Sequence, residues 1–125
     1  MSDIVLRITE QENQQKIHQW VQDYCEEATN EEWLARKVEE LTKDYVAIDS
    51  MNELQPGRYI RWIREGVLVK GGVVLSVDEE RQSVLCKTLN HIFTTFLFED
   101  CPCFMKLNQF EAWYLHNGTV LLGGS

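Results

Sequence analysis

The feature that most constrains this chain is a change of hydrophobic period near Pro56-Gly57. Before it, apolar residues recur every three or four positions, as on one face of a helix; after it, short β-branched and aromatic runs alternate with turn residues, as in strands. A chain that switches period once must bury a helical stripe and a sheet face in packed layers. The expected fold class is therefore α+β, an N-terminal antiparallel helical hairpin followed by a compact antiparallel β-barrel.

Thr9 and Glu12 have the spacing of a capping box, in which the hydroxyl and the carboxylate each accept from an amide left free at a helix start. They open a helix over residues 9–27, with Ile17, Trp20, Val21 and Tyr24 on one stripe. Thr29 and Glu32 repeat the signal and open a second helix, with Leu34, Val38, Leu41, Tyr45 and Ile48 as its seam. The short connection favours an antiparallel pair. Trp33 falls just outside the second stripe and is expected to pack locally.

From residue 55 the expected strands are residues 58–64, 67–77, 83–89, 92–98 and 103–107. Gly71-Gly72 interrupts the second run, where residues without Cβ allow a bulge or sharp bend. Asn117-Gly118 is a strong two-residue turn signal and predicts a final hairpin of residues 112–116 and 119–122, with a helix beginning at residues 108–113 as the alternative. Residues 1–53 are read as an acidic amphipathic hairpin and residues 54–125 as the barrel with its C-terminal hairpin, together one compact unit.

At 125 residues and 44% hydrophobic composition the chain has enough apolar mass for one core. Its net charge is -8, with nearly all of the negative excess before residue 54, so its mean field repels phosphate backbones and nucleic acid is a disfavoured partner. No apolar run is long enough to span a membrane, and the start MSDIVLRITEQEN lacks a basic segment followed by an apolar block. The expectation is a protein that is not secreted and resides in the cytoplasm or nucleus of the producing cell. Cys25, Cys86, Cys101 and Cys103 are read as reduced thiols.

Few residues invite a chemical role. Cys101-Pro-Cys103 has one intervening residue, where zinc knuckles and redox motifs use two or more, and His18, His91 and His116 have no ligand spacing. Lys70-Gly71-Gly72 is not a phosphate loop. No catalytic constellation, metal or cofactor is expected, and the chain is read as not an enzyme. The candidate binding residues are Tyr59, Trp62, Phe93 and Phe96, with Phe98 and Phe104 nearby in sequence; clustered at a barrel mouth they would form a cage for a methylated cation. Core filling is the reading favoured for aromatics in so small a barrel. Arg58 and Arg64 share a strand face and Arg61 takes the other, placed to contact phosphate or to pair with the acidic helices.

The segments LQPGRYIRWI, GVLVKGGVVLSV, VLCKTL and FTTFLFED resemble, over residues 54–107, the strand pattern of SH3-like barrels of the KOW and Tudor kind. The resemblance implies a five- to six-stranded antiparallel SH3-like barrel, with an OB-type barrel as the main competing arrangement of such strands. It departs from reader Tudor domains in having no clear cage sequence and from KOW domains in overall acidity. A helix pair before such a barrel is also similar to small minor structural proteins of large DNA viruses, which implies incorporation in a virion. The leading expectation is a non-enzymatic protein-protein interaction module, a structural or assembly component such as a minor virion protein, with protein partners and either homo- or hetero-oligomeric assembly. The alternative is a Tudor/KOW-like reader that binds a modified side chain or nucleic acid through the barrel aromatics.

Overall fold

The computed structural model describes residues 8–123, and the side chains of residues 8–117. The first seven residues, on which the expectation of no export signal partly rests, lie outside the described residues. Helix α1 spans Glu10–Tyr24 and starts at the expected capping box: Thr9 Oγ1 accepts from the Glu12 amide at 3.1 Å, and the Glu12 carboxylate accepts from the Thr9 amide at 3.4 Å. A 3-10 turn, Glu26–Thr29, reverses the chain into α2, Glu31–Asp44. Because Thr29 is taken up in that turn, the helix is capped by Asn30, whose side chain accepts from the Trp33 amide at 3.0 Å, and not by the expected Thr29–Glu32 box.

The expected helix seam overran its end. Tyr45 and Ile48 lie in strand β1, Tyr45–Ile48, paired antiparallel with β7, and all four of its residues are buried. Spacing by three is compatible with either element when every intervening residue is apolar too, and Tyr-Val-Ala-Ile is such a run. Pairing with a second strand and burial on both faces decided for the sheet.

The remaining strands are β2 Tyr59–Arg64, β3 Val67–Leu68, β4 Gly72–Asp78, β5 Ser83–Thr88, β6 Phe93–Leu97 and β7 Cys103–Lys106. Their order is β1-β7-β2-β4-β5-β6, antiparallel throughout, with β3 also paired to β2. Among the described residues β1 and β6 are the two ends, so the hydrogen-bonded path is an open sheet.

The expected bend is present at Gly71. β3 and β4 continue one another along β2, with Ile63 opposite Leu68 but Ile60 opposite Gly72, so one extra residue is inserted between them. Gly71 has φ +104°, and a Cβ there would lie 2.2 Å from the Ile60 carbonyl oxygen. Only glycine fits that combination.

The C-terminal hairpin is a correction: Gln109–Gly123 is helix α3, with Asn117-Gly118 inside it. Its start is built from a reciprocal cap, in which Asn108 Oδ1 accepts from the Glu111 amide at 2.8 Å and Glu111 accepts from the Asn108 amide at 3.0 Å. A turn dipeptide makes a hairpin only when both flanks find strand partners, and here docking of Leu115 into the core favours the helix.

Each face of the sheet has its own core. One carries Val46, Ile48, Ile60, Trp62, Val74, Val84, Cys86, Phe96 and Met105, closed by Leu115 of α3. On the other, Ile17, Val21, Leu34, Val38 and Leu41 of α1 and α2 pack against Tyr45, Ala47, Ile63 and Phe104. The helices α1 and α2 thus cover β1, β7 and β2, and among the described residues no element packs on the outer face of β4 to β6.

Asn13 joins the two layers. It is 0% exposed, its Nδ2 donates to the Tyr45 carbonyl at 3.0 Å, and its Oδ1 accepts from the Ala47 amide at 2.9 Å. The amide thereby acts as one more strand against the edge of β1. Asn13→Ala strands two buried backbone groups and should destabilise by about 2–4 kcal/mol in urea unfolding. Gly71→Ala should cost about 2–3 kcal/mol in the same measurement, from strain and the carbonyl clash.

Candidate functional site

The structure distributes the sequence-selected residues among separate tasks. Arg58 forks onto Glu111, with Nη2 2.6 Å from Oε1 and Nη1 3.2 Å from Oε2, and also donates to the Lys106 carbonyl at 2.9 Å. It anchors α3 to the sheet through a pair that is mostly buried. On the opposite face of β2, Arg61 donates Nε to the Val69 carbonyl at 2.9 Å and reaches Glu40 of α2 at 3.5 Å. That contact is the pairing with the acidic helices weighed from sequence. Arg64 is exposed, and its Nη1 reaches the Thr95 carbonyl of β6 at 3.5 Å.

The aromatics do not converge. Trp62 and Phe96, each 3% exposed, stack inside the core with ring centroids 4.5 Å apart and planes at 21°. Tyr59 packs on the helix side of the sheet and donates its hydroxyl to the Lys70 carbonyl at 2.5 Å. Phe93 faces outward, with the Lys87 ammonium 5.8 Å from its ring centroid. Phe104 belongs to the core under the helices, and Phe98 is half-buried against the core on the other face of the sheet. Stacked on each other, Trp62 and Phe96 have no pair of open ring faces for a cation.

The thiols are free and buried, and burial pushes the pKa of each one up, Cys86 to about 12. Cys103 donates to the Cys101 carbonyl. Among the described residues, no group of three His, Cys, Asp or Glu side chains is placed to hold a metal ion. None of the helices there is long and apolar enough to cross a membrane.

What remains is the seam between β6 and the β2–β3 hairpin. The Thr88 amide donates to the Ile92 carbonyl at 2.9 Å and the Phe98 amide to the Gln82 carbonyl at 2.8 Å, so even-numbered positions of this strand bond to β5. Phe93, Thr95 and Leu97 therefore direct their backbone N–H and C=O away from the sheet. Alongside lies a cleft of about 450 Å³ lined by Trp62, Arg64, Val69, Lys70, Leu89 and Ile92 among others, whose charged groups are the two cations. A second cleft of about 340 Å³, on the Thr95–Leu97 side of Arg64, includes Glu65 and Asp100. The rim is apolar and open: Leu89 is 69% exposed, Phe93 64%, Ile92 59% and Leu97 50%.

Leu89, Ile92, Leu97, Lys70 and Thr95 were not selected from sequence. The available signal was the uncharged run of residues 92–98, Ile-Phe-Thr-Thr-Phe-Leu-Phe, too apolar for a strand with a solvated face. No protein-family model, curated protein or solved structure matches the chain.

A broader groove of about 1000 Å³ crosses the helices and ends at His116. His116 Nδ1 is 2.9 Å from Glu10 Oε2 and Nε2 is 3.1 Å from the Lys43 carbonyl, clamping α3 to both other helices. Burial lowers its pKa, but the Lys43 carbonyl and the Glu10 carboxylate together outweigh it, and the net shift is upward from 6.5. A raised folded pKa favours the protonated form, so this clamp stabilises fully below the unfolded value and is lost as pH rises through the folded one. An NMR titration should place His116 above its ordinary value, amide protection in α3 should fall across that transition, and His116→Asn should flatten the dependence.

Proposed function

We propose that this protein is a non-enzymatic protein-protein interaction module, a structural or assembly component with a minor virion protein as its model setting. The observation that carries the reading is the concentration of exposed large apolar side chains, Leu89, Ile92, Phe93 and Leu97, on one strand edge, unpaired among the described residues, and its turn. Scattered single apolar residues are ordinary on a surface, whereas four exposed ones within residues 89–97, beside outward-facing backbone, point to a contact site. The buried thiols, held protonated by burial, supply no nucleophile near it.

The same proposal includes an SH3-like arrangement of β2 to β7, opened along the seam. Its support is the sequence of short antiparallel strands and the single-residue bulge at Gly71, which lets one long strand serve both ends of β2. A cytoplasmic or nuclear site of action in the producing cell belongs to the proposal as well. The reader alternative draws less support, because Trp62 and Phe96 occupy each other and Tyr59 lies across the sheet.

The test is a photo-crosslinking residue placed at position 93 of the full chain in native lysate. A discrete protein adduct, lost on Leu89→Asp with Leu97→Asp while the thermal midpoint stays put, is the expected result. A chain that yields no protein adduct and sediments as a lone monomer would overturn the reading.

A further inference from the structure

The two ends of the sheet are treated differently. At β1 the outward backbone groups are satisfied by the buried Asn13 amide at 2.9 and 3.0 Å. At β6 the one described side chain on the edge is Arg64, exposed and at 3.5 Å, the outer limit of a hydrogen bond. Free edges are ordinarily blunted by Lys, Glu, Pro or a bulge, and residues 92–98 contain none of these. The registry with β5 is regular from Ser83–Leu97 to Lys87–Phe93, so the edge is straight enough to template another strand.

The cleft beside this edge has its own chemistry. Trp62 is one of its lining residues, and the Nε1–H of that side chain, itself buried, has no hydrogen-bond partner among the described residues. A buried donor without a partner is costly and uncommon. Arg64 and Lys70 add two cations with no carboxylate in the lining, while Val69, Leu89 and Ile92 supply an apolar wall.

We infer that β6 receives an extended segment of a partner protein as an added strand, with an apolar side chain and a carboxylate two residues from it, on the same strand face, entering the cleft at Arg64 and Lys70. This rests on the interaction reading above and names its partner chemistry. The incoming backbone takes up the outward groups of Phe93, Thr95 and Leu97, displacing the long Arg64 contact and freeing its guanidinium for the carboxylate. Polarity follows from the second cleft: its Glu65 and Asp100 repel the acidic end, which therefore lies toward Lys70. A helix would leave the edge unpaired. A second copy of this chain fits poorly, because its own β6 carries no carboxylate and two-fold pairing through Thr95 would bring two Arg64 guanidiniums together.

The experiment titrates the full chain, 15N-labelled, with synthetic nonapeptides in which Val and Glu take turns at the odd positions and Thr fills the even ones, so that both share one strand face, and with the same series carrying Lys for Glu. The Glu series should bind, slow amide exchange at Phe93, Thr95 and Leu97, and weaken with salt. Thr95→Pro removes an outward N–H without touching the β5 ladder and should weaken binding at least about tenfold with the fold intact. Arg64→Glu, at an exposed side chain, should reverse the preference to the Lys series. Saturable binding that leaves those three amides unchanged, indifference to both substitutions, or no binding by either series at millimolar peptide overturns the inference. So does concentration-dependent protection of the same amides without peptide, which would assign the edge to a second copy. A position-93 adduct that persists while the peptides fail leaves the interaction reading standing and removes strand addition alone.

Discussion

One carboxamide organises this molecule. Asn13 sits fully buried at the junction of α1 and β1, and its donor and acceptor match the two backbone groups that the end strand presents. In that place water cannot serve as a substitute partner, so the bond is worth more than its surface equivalent. It terminates the sheet on one side and sets the helix layer over β1, β7 and β2. Everything distinctive about the opposite end follows from the helices being committed here.

Arg58, just before β2, and Arg61 and Arg64 within it show how a strand's two-residue period divides three similar side chains. Arg58 and Arg61 are consumed internally, one locking α3 through Glu111 and one bridging to Glu40 of α2. Arg64, at the end of the strand, has no carboxylate partner among the described residues and rests on a carbonyl of β6. The bulge at Gly71 is equally consequential, because it curls the β3–β4 run so that Lys70 and Val69 border the same cleft as the β5–β6 turn.

The core exacts its own constraint on function. Trp62 is central to the sheet face, and its stacking on Phe96 fixes how far β2 and β6 stand apart across the seam. That spacing is too filled for a cation cage and leaves an indole N–H unanswered. The interior thus carries one buried polar group without a partner among the described residues.

The sequence by itself determined the α+β class, the Thr9–Glu12 helix start, the bend at Gly71 and the approximate limits of β2, β5, β6 and β7. These are local: capping geometry, a positive φ and side-chain alternation are properties of a few consecutive residues. It also limited the arginines to opposite faces, since strand period requires it. Only the tertiary structure decided that residues 45–48 leave the helix for a strand, because the pairing partner β7 lies some sixty residues away in the chain. The same holds for α3, whose Asn-Gly signal yielded to Leu115 and the Arg58–Glu111 pair. The candidate site was hidden for a like reason: a run such as Ile-Phe-Thr-Thr-Phe-Leu-Phe reads identically at the centre of a sheet and at its rim. Which of the two it occupies depends on the order of strands, and that order is written in no single segment.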